Sequence, residues 1–205
     1  TQGERARLRV QINDLDRGTS ATFDDTGEFW VTTDGTNFIM DVQLLSIEPV
    51  GYITDNFPTS DRCLYDIGPQ RWRVHFGEKC YKPTWSQDWN LTLITIPLQV
   101  NLIEPNGESY RRGIDDVVYV GLVSDDCGGV ADATVRFRVM QSGVVTQEVF
   151  VSTNSSGYAT YSFGTTGWSL GYYNATMNAS KTYYNDSEML LKEDAFILVT
   201  EPVIP

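Results

Sequence analysis

The sequence predicts an all-β protein built from two β-sandwich-like modules in tandem. Three observations carry that expectation. Apolar and polar residues alternate over short runs, and no stretch sustains a 3.6-residue amphipathic period. Gly, Pro, Asn and Asp punctuate those runs at short intervals, as turns between strands require. Aromatic residues make up 12% of the chain, with Tyr and Thr prominent, side chains that suit a half-buried pleated surface better than a helix.

The first module is read over residues 1–96. Leu8, Val10 and Ile12 alternate with Arg7, Arg9 and Gln11, the pattern of a half-buried strand. Asp24-Asp25-Thr26-Gly27 is a turn, Phe29–Thr33 a strand, and Asp34-Gly35 a hairpin signal before a return strand from Phe38 to Leu45. Pro49, Gly51, Pro58, Gly68 and Pro69 predict a long irregular connection over 48–70. Trp72, Val74 and Phe76 then alternate with Arg71, Arg73 and His75, and Trp30 and Trp72 read as core. A loop over 77–88 precedes a closing strand, Asn90 to Ile96.

The second module, 97–205, has the more regular pattern. Strands are expected at 98–103, 117–124, 133–140, 145–152, 158–163, 170–180 and 190–200, separated mostly by Gly-, Asn- and Asp-bearing turns. Seven short strands in about 105 residues fit a seven-stranded sandwich. Residues 187–193 could supply a helical turn at most.

Three strings in this module carry a resemblance. GGVADATVRFRV (128–139) contains an Ala-X-Val-X-Phe strand, TNSSGYATYSF (153–163) a Thr-Asn-X-X-Gly-X-Ala turn, and LGYYNATMNASKTYYNDS (170–187) a Gly-X-Tyr-X-X-Thr strand. They resemble the bacterial and archaeal Ig-like domains that recur in tandem in invasin-like adhesins, macroglobulin-like proteins and archaeal surface glycoproteins. The resemblance covers the second module only. It implies a sandwich with no catalytic residues, and a structural or adhesive role.

Composition narrows the function. At 41% apolar residues the 205-residue chain can bury a core. A net charge of −12 disfavours nucleic acid, which needs clustered Lys and Arg, and disfavours docking on an anionic membrane. The acids are scattered, as on a solubilising surface. No run is long and apolar enough to insert in a membrane, and no signal or transit peptide is present. The chain lacks an initial Met, and Glu201-Pro202-Val203-Ile204-Pro205 reads as the start of a linker, so a segment of a longer protein is expected.

The compartment follows from asparagines and cysteines. Asn90, Asn154, Asn174, Asn178 and Asn185 each begin an Asn-X-Ser/Thr triplet without Pro. Chance would give about two, so N-glycosylation and an extracellular, cell-surface location are expected. Asn174 and Asn178 alternate with Tyr173, Ala175, Met177 and Ala179, which puts both asparagines on the wet face of one strand. Cys63 and Cys80 are the expected disulfide, closing a loop worth about 3 kcal/mol. Cys127 is left three alternatives: a free thiol, a partner outside the chain, or a place in that pair.

Other chemistries fare less well. The single histidine, His75, lies on the wet side of its strand, and no Gly-X-Ser-X-Gly elbow occurs, so an enzyme is not expected. No Cys-X-X-Cys is present and one histidine is too few for a zinc site. Turn acids at Asp24, Asp25, Asp115, Asp116, Asp125 and Asp126 are candidate calcium ligands, but no Asp-X-Asp-X-Asp-Gly loop organises them. Tyr81, Trp85 and Trp89 are the candidates for the alternative reading, a carbohydrate-binding module, since sugar rings stack on flat aromatic faces. The leading reading is a non-enzymatic structural or adhesive segment of an N-glycosylated surface protein. Its partners would be neighbouring domains or further copies, assembled through strand edges into a filament or surface layer.

Overall fold

The computed structural model describes residues 5–20, 26–46, 51–58, 61–77, 81–94 and 97–200. The protein is all-β, with one short 3₁₀ turn, Arg62–Leu64, among the described residues. It divides into two compact units, Thr1–Thr95 and Ile96–Pro205.

The first unit contains β1 (Ala6–Gln11), β2 (Asn13–Asp14), β3 (Thr19–Ser20), β4 (Thr26–Thr32), β5 (Phe38–Ser46), β6 (Tyr52–Phe57), β7 (Gly68–Phe76), β8 (Thr84–Trp85) and β9 (Trp89–Leu93). β5, β4 and β7 lie side by side, and β8 and β9 pair with β7. Ser86 bridges the break between β8 and β9. Its backbone N–H donates to the Val74 carbonyl at 2.9 Å, and its hydroxyl accepts the Val74 N–H at 2.8 Å. β1 and β6 form a separate antiparallel pair. Leu8, Ile53 and Phe57 from that pair join Phe29, Val31, Val74 and Phe76 in one buried cluster.

Two expectations for this unit need correcting. The stretch 48–70 is not wholly irregular, because Tyr52–Phe57 is a strand in register with β1. Its inward positions are Ile53, Asp55 and Phe57, and the buried Asp55, 4% exposed, interrupts the apolar alternation that would have revealed it. Trp30 is not core. It sits between the buried Phe29 and Val31, so strand alternation turns it to the opposite face, where its indole N–H donates to Glu28.

The second unit contains β10 (Gln99–Glu104), β11 (Glu108–Arg111), β12 (Val117–Asp125), β13 (Gly128–Gly129), β14 (Thr134–Gln141), β15 (Val144–Ser152), β16 (Tyr158–Phe163), β17 (Gly171–Ser180) and β18 (Leu190–Val199). β12 pairs with β10, β13 and β16 in one sheet, and the other sheet runs β11-β18-β17-β14-β15. Both sheets feed one core that includes Val117, Tyr119, Val135, Phe137, Phe163 and Met177. The short β11 was not expected, having only Tyr110 as an apolar signal, and it pairs with β18 in parallel. Leu190 to Glu193 is strand and not a helical turn.

Local chemistry explains several joints. Gly157, at φ 83°, closes the turn after β15, and a side chain there would strike Gly129 and the Val123 carbonyl. The same turn is held by Asn154 Oδ1, which accepts the N–H groups of Ser156 and Tyr158 at 2.9 and 3.0 Å. Thr153 is buried with its hydroxyl donating to the Val130 carbonyl and accepting from Ala133 N–H. Tyr173 donates to the Ser169 carbonyl at 2.7 Å, the corner bond typical of immunoglobulin-like sandwiches.

The strand directions give the second unit two distinct ends. β10 begins beside the end of β12, with Gln99 opposite Ser124 and Leu98 N–H bonded to the Asn185 carbonyl. β18 finishes at Val199, beside Arg111 and near Gly171. The chain therefore enters this sandwich at one end and leaves it at the other.

Candidate functional site

The three aromatics expected to form a sugar platform do not share a surface. Trp89 stacks on Trp72 at 4.6 Å, and Trp72 in turn stacks on Phe29 in the core. Tyr81 packs against Phe76 at 5.5 Å, and its hydroxyl donates to Asp14. Both therefore belong to the inward side of the β4–β7 sheet. Trp85 is in register with His75 and stands on the outward side, 45% exposed.

On that outward side Trp85 joins a stack that sequence reasoning missed. The Arg73 guanidinium carbon lies 4.0 Å from the Phe38 ring centroid and 4.2 Å from that of Trp85. His75 contacts Trp85 at 4.6 Å, and Trp30 meets it edge-on at 5.6 Å. Glu28 closes the row, taking the Trp30 N–H at 3.1 Å and lying 3.3 Å from His75 Nδ1. A guanidinium between two rings is favourable by about 0.5–2 kcal/mol per contact. With arginine, histidine and tryptophan neighbours, the Trp85 ring is engaged within the sheet and braces its outer face. Alternation alone could have placed Arg73 and His75 on one face; Trp30 needed the register of β4 with β7. Phe38 and Trp85 needed the register of β5 and β8.

The five sequon asparagines all fall among the described residues. Asn90 is exposed on β9, Asn154 is exposed in its turn, and Asn185 is exposed between β17 and β18. Asn174 and Asn178 are half-buried on β17, facing away from the buried Tyr173, Ala175, Met177 and Ala179. Thr176 lies between them on the same outer face, yet is only 2% exposed, in register with Arg138 and Leu191. That face is thus less open than strand alternation suggests.

Cys63 and Cys127 are each disulfide-bonded. This removes the free-thiol alternative for Cys127. Cys80, half of the expected pair, lies outside the described residues, as do Asp24, Asp25 and residues 201–205. Cys63 sits in the 3₁₀ turn, capped by Asp61, and Cys127 in a turn where its N–H donates to Asp125 at 2.7 Å.

Two turn acids, Asp115 and Asp34, are held by hydrogen bonds. Asp115 bonds Arg111 through its backbone and guanidinium, and those bonds hold its carboxyl down at about 2. Asp34 accepts from the backbones and side chains of Asn37 and Thr36, which pushes its carboxyl well below the usual carboxylate range. Among the described residues no three His, Cys, Asp or Glu side chains gather to hold a metal. Two shallow grooves accompany these sites. One, of about 380 Å³, lies between Pro97–Val100 and Glu188–Leu190 and offers a single carboxylate. The other, of about 210 Å³, is lined by residues such as Val10, Val74, Phe76 and Trp85 and holds no ionisable side chain. Neither brings together an acid and a base.

The chain matches no known protein family and no curated protein. Its fold does match solved structures. A tetra-tandem repeat in the extending region of a large adhesion protein aligns with TM-score 0.57 and 12% identity, covering 93% of this chain and 45% of that one. The chain thus spans less than half of that structure's length. Chicken CNTN1 FN1-FN3 domains align at TM-score 0.41 and 9% identity, over 96% of this chain and 63% of that one. Fibronectin(III)-like modules of Clostridium thermocellum CbhA align at TM-score 0.36 and 12% identity, over 95% and 85%. At 12% identity the likeness to the adhesion-protein repeat concerns fold alone, and the fold is all-β, with two sheets sharing one core in the second unit.

Proposed function

We propose that this chain is a non-enzymatic spacer segment of an extracellular adhesin or surface glycoprotein, of the bacterial or archaeal kind. Its partners are neighbouring modules and further copies of the same protein, in a filament or surface layer. The observation that carries the reading is the path of the second unit. Entry at one end and exit at the other lets such sandwiches be strung in series and carry tension along the chain. Pulling on the two ends draws β10 along β12 and β18 along β11 and β17, so the ladder hydrogen bonds of those pairs share the load. The repeat of the large adhesion protein named above, from an extending region, is consistent with such use. Five sequons and two oxidised cysteines support an oxidising, extracellular setting.

Mild protease shaving and surface biotinylation of intact source cells test this. Peptides from residues 6–200 should be released and labelled, within a polypeptide longer than 205 residues. Recovery of the protein only with cytoplasmic markers would overturn the reading.

A further inference from the structure

The outer face of the β11-β18-β17-β14-β15 sheet carries features that a spacer role leaves unused. Arg136 on β14 is in register with Phe150 on β15 and with Asn178 on β17, so the three side chains form one row across the sheet. The Arg136 guanidinium carbon lies 5.6 Å from the Phe150 ring centroid, and Glu148 holds Arg136 and Arg138 at 2.7 Å each. Phe150 is 60% exposed, and beside the row Met189 and Leu191 are 58% and 49% exposed. Among the described residues β15 pairs on one side only. An apolar strip next to an open strand edge invites unwanted pairing unless something covers it.

The two sequons on this face are not equivalent. Asn174 Oδ1 accepts the Asp194 N–H at 2.9 Å and pins β18 where its register shifts, at a residue with φ 45°. A sugar on its Nδ2 has to be accommodated by a carboxamide whose oxygen is already held by the neighbouring strand. The Asn178 carboxamide makes no hydrogen bond among the described residues, and Ser180, the hydroxyl residue of its triplet, is half-exposed where Thr176 of the Asn174 triplet is buried.

We propose that Asn178 is the glycan-bearing asparagine of this face, and that its glycan folds back over Arg136 onto Phe150. The proposal rests on reading the chain as an extracellular glycoprotein. The donor is an oligosaccharide linked to a lipid phosphate or pyrophosphate. The Asn178 Nδ2 bonds to the anomeric carbon, the anomeric C–O bond to phosphate breaks, the lipid phosphate leaves with that electron pair, and Nδ2 gives up one proton. Nothing is oxidised or reduced. Asn178 and Phe150 are two strands apart, about 10 Å at ordinary strand spacing, within the span of a short saccharide. The C–H face of a sugar ring matches the Phe150 ring, and its hydroxyls match the Arg136 donors.

Glycopeptide mapping of the protein from its source cells, followed by melting of four forms, tests this. The forms are wild type and Phe150→Ser, each with its native glycans and with Asn178→Gln. Asn178 should be occupied in preference to Asn174. Losing its glycan should lower the melting temperature of the second unit by about 4 °C when Phe150 is present, and by much less in Phe150→Ser. Glycans on other sequons with Asn178 bare would overturn the inference while leaving the glycoprotein reading intact. Bare asparagines throughout would remove both. An occupied Asn178 with equal losses in the two backgrounds would overturn the packing on Phe150.

Discussion

The two units reach an all-β fold by different means. Among the described residues the second unit buries a cluster of 19 apolar side chains, several of them aromatic and fully enclosed. The first unit buries 8. It adds instead a polar brace at one end of its sheet and the arginine–aromatic stack on its outer face. Gln70, buried at 2% exposure, accepts from Thr32 Oγ and Gly35 N–H at 2.7 and 2.8 Å and donates to the Asp66 carbonyl at 2.7 Å. A buried polar group that loses its partner costs more than the average hydrogen bond contributes.

The largest effect should come from opening the bigger core. Phe137 is fully buried and meets Tyr119 edge-on at 5.4 Å. Phe137→Ala should destabilise the second unit by about 3–5 kcal/mol. Calorimetry should show its transition moving down while that of the first unit stays in place. A shift of both transitions together would mean that the units do not unfold independently.

Next in size is Gln70→Ala. It leaves the Thr32 hydroxyl, the Gly35 N–H and the Asp66 carbonyl without their partner and should cost the first unit about 2–3 kcal/mol. Denaturant melts of the same protein should leave the second unit unmoved. An effect below about 0.5 kcal/mol would show that the brace is ornamental and that the small core suffices.

The same contrast decides what the sequence reveals. In the second unit Val135, Phe137 and Val139 alternate with Thr134, Arg136 and Arg138, and the buried and outward sets follow that alternation. In the first unit Asp55 occupies an inward position and hides β6, and a polar Gln70 takes an inward place beside Trp72. The outer-face stack assembles Phe38, Arg73 and Trp85 from three strands, so it depends on register, which no local pattern specifies. The sequons were legible as strings, and so was the shared face of Asn174 and Asn178. What distinguishes those two asparagines is a bond to Asp194, twenty residues away on another strand.

A smaller change should favour the second unit. The Tyr119 hydroxyl is buried with no hydrogen-bond partner among the described residues, and burial pushes its phenol far above the ordinary range. Tyr119→Phe removes an uncompensated polar atom and keeps the ring contacts with Phe137 and Phe163. It should raise the stability of the second unit by about 1 kcal/mol in denaturant melts. A loss of stability would mean that the hydroxyl is satisfied in solution, by a bound water for instance.

The subtlest test is acid. The bonds that Asp34 accepts from Asn37 and Thr36 depress its folded-state pKa, so their contribution is present above the unfolded value of about 3.9 and is lost as pH falls through the lower folded value. Asp115, held at about 2 by Arg111, acts in the same direction in the second unit. Asp34 is exposed and Asp115 half-buried beside Arg111, so each effect is small, and each belongs to a different unit. Asp34→Asn keeps an acceptor oxygen but no titrating group. It should flatten the loss of first-unit stability below about pH 4 and leave the acid slope of the second unit as it was. Asp115→Asn should do the reverse. If Asp34→Asn left the first unit's acid slope unchanged, the hairpin turn would not be the titrating element, and the buried carboxylates Asp41 and Asp55 of that unit would be the groups to examine.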